Sequence, residues 1–190
     1  DGIRDTSVTG VQTCALPISV SVLIETYIPG EEVAVEGIMN NGQLEVLALF
    51  DKPDPLEGPF FEETIYVTPS RLPMDLQTEI ALSTAQAAKI IGLETGPVHA
   101  ELRLNDQGPW LLDIAGRSIG GLCSQVLQFG ARGSLEEIIH RQACGLNYDD
   151  LARSDEARGV MMIPIPGAGL LRAVDGIEEA TSTPLIEGIE

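Results

Sequence analysis

The chain has 190 residues, with 29 Asp and Glu against 11 Lys and Arg, and a formal charge of −18. Its hydrophobic content of 44% is enough to bury one core, so the composition points to one domain or part of one. The charge argues against nucleic acid, whose backbone demands clustered Lys and Arg, and no apolar run of 18 residues offers a transmembrane helix.

Residues 1–19 do not fit the rest of the chain. The stretch from Val8 to Ile18, reading VTGVQTCALPI, resembles the conceptual translation of a sequencing-library adapter. It is read as an artefactual leader and excluded from the fold. The natural protein is then expected to be cut on its N-terminal side, and the strand-like run after Leu185 suggests truncation at the other end. Cys14, Cys123 and Cys144 have no metal-ligand spacing, which suits reduced thiols in a cytoplasmic protein.

Residues 20–25 read as a strand, and Pro29-Gly30 as a turn. Strands are predicted at 31–39 and 43–50, joined by Asn40-Asn41-Gly42, whose residues tolerate positive φ. Lys52 opens a Pro- and Gly-rich loop over 52–60, and 63–68 is a further strand. Pro73 opens a helix that ends at Gly92. A hairpin comes next, over 96–116. A second helix spans 135–144, with Ser134 and Glu137 as a capping box and Gly145 as its C-cap. Residues 159–190 read as short strands and turns.

The hairpin carries the most informative chemistry. Val98, Ala100, Leu102 and Leu104 alternate with His99, Glu101 and Arg103. On the return strand Trp110, Leu112 and Ile114 are expected on the core face, with Asp113 and Arg117 opposite. A turn centred on Gln107 sets Glu101 across from Asp113. Facing residues have Cβ atoms about 4.5–5.5 Å apart, so two carboxylates could hold one cation; without it, like charges would destabilise the sheet. Hard oxygen ligands suit Mg²⁺ or Mn²⁺, and such an ion would help a chain this acidic to accept a polyphosphate. Arg117 stands four residues after Asp113, with a guanidinium suited to phosphate or carboxylate. Gly120-Gly121 then leaves backbone open to a ligand.

These residues, in this order, resemble the ATP-grasp superfamily over residues 20–190. The branch is similar to the L-amino-acid ligases and more distantly to biotin carboxylase and carbamoyl-phosphate synthetase. The resemblance implies an α+β fold: an ATP-grasp C-terminal subdomain with an antiparallel sheet and helices packed on one side. It implies a partial catalytic, metal-binding subdomain over 20–158 and the start of a strand-rich C-terminal region over 159–190.

It also implies an ADP-forming, ATP- and Mg²⁺-dependent (or Mn²⁺-dependent) ligase that joins a small carboxylate to an amine or other nucleophile through an acyl-phosphate. By the same match Glu101 and Asp113 bind metal and Arg117 steadies the transferred phosphoryl group. The Glu25 carbonyl and Ile28 amide meet adenine, and the Glu32 carboxylate holds ribose. Lys52, His99, Gly120 and Gly121 are candidates for the substrate side. The family's second metal ligand is usually Glu, often with Asn two residues later; this chain has Asp113 and Ala115. That departure keeps open a non-catalytic ATP-binding module. The fragment alone is expected to be inactive and to bind ATP weakly or not at all.

Overall fold

The computed structural model describes residues 24–54, 63–164 and 169–190. The expected strand over 20–25 lies mostly outside them, as does most of the 52–60 loop and the leader. Strands β1 (Glu31–Asn40), β2 (Gln43–Lys52), β3 (Ile65–Thr68), β4 (Gly96–Asn105), β5 (Gly108–Ala115) and β6 (Arg158–Met161) form one sheet in the order β5-β4-β1-β2-β3-β6. Every pairing in it is antiparallel. Helix α1 (Met74–Ile90) connects β3 to β4, α2 (Leu135–Ala143) comes after β5, and a short α3 (Ile177–Thr181) sits in the tail where strands and turns were predicted.

Local chemistry explains the connections. Asn41 and Gly42 have φ of 51° and 79°, the left-handed pair that turns a two-residue hairpin with the twist of its strands. Ser134 caps α2 by accepting from the Glu137 backbone N–H at 3.2 Å, and Gly145 lies beyond its far end at φ 68°. Pro73 is the residue just before α1, and the Gly92 N–H closes the far end on the Lys89 carbonyl.

The sheet is buried on both faces, which corrects the expectation of helices on one side only. Val33, Val35 and Leu49 pack with Ala100, Leu102 and α1's Ile80; Met39 and Val98 meet Ala88 on that same side. Ala34, Ile38 and Phe50 face the other way, onto Ile119, Cys123, Phe129 and α2's Leu135 and Ile138. β1 is therefore apolar on both sides, and alternation along one strand could not reveal the second layer. The polar residues Glu32, Glu36, Lys52, His99 and Arg103 are buried among these layers.

β5 departs from simple alternation. The hairpin turn spans two residues, so Asn105 faces Gly108 and Leu102 faces Leu111, but a bulge then shifts the register and Glu101 faces Asp113. The expected pairing holds, through a bulge at Leu112 instead of a turn centred on Gln107. The bulge also corrects the face assignment. Leu111 and Ile114 pack against the core, whereas Trp110 and Leu112 are exposed.

Gly30 sets the entry to β1. Its φ is 135°, and an added Cβ would lie 2.1 Å from the Leu104 carbonyl oxygen. Gly30→Ala should therefore lower unfolding free energy by at least about 2 kcal/mol, read by urea denaturation; a smaller change would show that the β1 entry can shift freely.

Candidate metal and nucleotide site

The polar residues buried on the α2 side of the sheet converge on Lys52. It is the last residue of β2, not part of a solvated loop, and only 5% exposed. Its ammonium lies 2.7 Å from Glu32 Oε1, 2.7 Å from Glu63 Oε1 and 2.9 Å from Glu101 Oε1. Its three N–H directions thus meet three carboxylates, and the Tyr66 ring lies 4.9 Å from it. Burial alone would favour neutral lysine, but Glu101, Tyr66, Glu63 and Glu32 outweigh it and raise the pKa above its ordinary value.

A second cation, Arg103, places Nε 3.1 Å from Glu32 Oε2 and donates from a terminal nitrogen to the Ile28 carbonyl at 2.8 Å. Its guanidinium also lies 4.9 Å from the Tyr27 ring. Arg103 ties the segment before β1 onto β4. Glu32, the expected ribose acceptor, thus has a cation on each oxygen and is buried beneath the surface. Glu25 is exposed, and Ile28 is half-buried with its carbonyl taken by Arg103.

The third cation is His99. Its Nδ1 stands 3.4 Å from Glu36 Oε2 and its Nε2 stands 3.7 Å from Glu101 Oε1. Burial opposes the imidazolium, but the two carboxylates prevail and raise the pKa from 6.5 to about 9. Glu101 feels burial in the opposite sense. His99 and Lys52 overcome it and hold the carboxyl well below the usual range.

Glu101 is partly open to solvent; its described ion-pair partners all meet Oε1, and Oε2 has none among the described residues. Asp113 faces it across the hairpin and is exposed. Glu32, Glu36, Glu63 and Glu101 confront Lys52, His99 and Arg103. Asp113 makes a fifth carboxylate against three cations, so the balance leaves two negative charges. That donor set fits a hard divalent cation at the Glu101–Asp113 edge.

A cavity of about 590 Å³ opens beside Glu101. Glu63, Tyr66, His99 and Glu101 line one side; Arg117, Ile119, Gly120 and Gly121 line the other. Arg117 is exposed, and its described hydrogen bond is to the Ser118 carbonyl at 2.9 Å. Thus His99, Glu101, Arg117, Gly120 and Gly121 are brought together, with Lys52 beneath them, while Glu25 and Ile28 lie apart. A second depression beside α2, of about 420 Å³, has no buried residue in its lining. Glu63, Tyr66 and Glu36 were not singled out from sequence. Glu63 lies just past the Pro-rich loop, and its role becomes visible only when Tyr66 donates to its Oε2 at 2.6 Å and Lys52 meets its Oε1.

The family model described as ATP-grasp domain matches residues 9–126. The chain belongs to the ATP-grasp family. It is 34% identical over 101 residues to carnosine synthase 1 of Gallus gallus, covering 53% of this chain and 11% of that protein. It is 33% identical over 89 residues to alanine–anticapsin ligase of Bacillus subtilis (strain 168), covering 46% and 18% respectively. The crystal structure of an L-amino acid ligase from Bacillus licheniformis superposes with a TM-score of 0.70 at 27% identity, over 83% of this chain and 41% of that one. The chain spans less than half the length of each of these relatives. ATP-grasp enzymes generally use ATP with Mg²⁺. No helix among the described residues is long and apolar enough to cross a membrane.

Two outcomes test this geometry. Lys52→Met strands three carboxylates and should destabilise the chain by about 3 kcal/mol in urea titrations; a loss under about 1 kcal/mol would mean that the cluster does not depend on the ammonium. Cys123 is 2% exposed, and burial pushes its thiol from 9.0 to about 11. Iodoacetamide at pH 8 should therefore alkylate exposed Cys144 well before Cys123, by peptide mass mapping, with the difference abolished in guanidinium.

Proposed function

We propose that the protein carrying this chain is an ADP-forming ligase that joins a small carboxylate to an amine through an acyl-phosphate. The observation that supports this reading best is Glu101, paired across the hairpin with Asp113, lining a cavity whose opposite wall carries Arg117 and Gly120-Gly121. The reaction is two displacements. A carboxylate oxygen attacks the γ-phosphorus of ATP as the bond to the β-phosphate oxygen breaks, releasing ADP. The amine then attacks the acyl carbon, phosphate leaves, and the new amide nitrogen loses a proton.

Protein groups contribute mainly position and charge. Glu101 and Asp113 would hold Mg²⁺ or Mn²⁺, whose charge would offset that of the ATP phosphates. Arg117, exposed at the cavity wall, would anchor the transferred phosphoryl group or the acyl-phosphate. Gly120 and Gly121 would let backbone approach the substrate. The Glu25 carbonyl and the Ile28 amide would meet adenine. Glu32 we assign to orienting Lys52 and Arg103, since both of its oxygens face them. Lys52 and His99 in turn would hold the Glu101 carboxylate ionised and aimed. Carboxylate and amine are small molecules, and a cytoplasmic setting suits the use of ATP and Mg²⁺.

In the intact protein, Glu101→Gln should reduce substrate-dependent ADP release by about 100-fold or more across a panel of carboxylic acids and amines. Near-normal turnover would overturn the metal assignment. Nucleotide binding by the parent protein, with no turnover on any acid and amine pair, would favour the ATP-binding module that Ala115 and the shorter Asp113 keep open.

A further inference from the structure

Glu36 stands outside the roles assigned above, and it is the most enclosed charged residue described. It lies in the middle of β1 with no exposed surface. Burial raises its pKa, and its Oε1 has no hydrogen-bond partner among the described residues. A buried carboxylate oxygen left without a partner is costly, so an apolar side chain at this position would serve packing better. Its other oxygen has two neighbours. Oε2 accepts from the Ile119 backbone N–H at 2.9 Å and stands 3.4 Å from His99 Nδ1. Ile119 belongs to the wall segment between Arg117 and Gly120, and His99 reaches on to Glu101.

We propose that Glu36 is a positioning residue that couples the Glu101 carboxylate, through His99, to the backbone of the Arg117–Gly121 wall. One oxygen serves both contacts, so a change at either competes with the other. His99 stands between the two carboxylates, 3.4 Å from Glu36 Oε2 and 3.7 Å from Glu101 Oε1. Where its contact with Glu101 is lost, His99 settles toward Glu36 Oε2 and weakens that oxygen's hold on the Ile119 N–H. The wall carrying Arg117 thereby responds to what holds the far side of His99. The catalytic consequence rests on the ligase reading; the coupling itself does not.

The test is amide hydrogen exchange of Ile119 in the 190-residue chain, by NMR. Glu101→Gln weakens the contact that holds the far side of His99 and should speed Ile119 exchange by about fivefold or more. Glu36→Gln keeps the shape and an oxygen for Ile119 while removing the charge. In that background Glu101→Gln should change Ile119 exchange by less than about twofold. His99→Gln breaks the same link without touching the Ile119 acceptor, and it provides the second background should Glu36→Gln not fold. A role for Glu36 in packing alone would move the rate equally in every background. Unchanged Ile119 exchange in Glu101→Gln, or equal acceleration with and without the link, overturns the coupling whether or not the protein proves to be a ligase.

Discussion

The arrangement depends on one ammonium. Lys52, at the end of β2, collects carboxylates from β1, β4 and the segment leading into β3. Placing Glu32, Glu63 and Glu101 within reach of one another without a cation would be strongly unfavourable, and each would tend to take up a proton. With Lys52 between them they stay ionised, and Glu101 is presented at the cavity with one oxygen outside these ion pairs. Arg103 and His99 extend the same logic outward, one toward the segment before β1 and the other toward Glu36.

A chain of formal charge −18 would need such fixed cations to accept the polyanion of the proposed reaction. The acidic groups closest to the sheet are already balanced by fixed cations, and the excess is confined to the Glu101–Asp113 edge. A divalent cation there would complete the balance and turn the edge toward phosphate. The exposed guanidinium of Arg117 supplies the positive charge on the opposite wall.

Much of the framework was legible because it depends on local rules. The Asn41-Gly42 turn, the Ser134 cap and the periodic stretch of α1 each arise from residues within a few positions. The Glu101–Asp113 pairing was also legible, although its cause was not. A bulge at Leu112 has no signature in a strict two-residue period, and the same blindness put Trp110 and Leu112 on the wrong face. Lys52 looked like a loop residue because Pro53 comes directly after it; burial came from partners 11 to 49 residues away. Glu36 was hidden for a similar reason. An acid in an apolar strand carries no mark of its neighbours until Ile119 and His99 are folded against it.

The central claim is that a divalent cation belongs between Glu101 and Asp113 on a site otherwise held by fixed charges. Anomalous diffraction from crystals of the intact protein grown with Mn²⁺ and a non-hydrolysable ATP analogue tests it most directly. The expected result is a peak bridging the Glu101 and Asp113 carboxylates, with Lys52 still seated beneath. A peak bound elsewhere with both carboxylates free, or an analogue bound with no peak at this edge, would contradict the account.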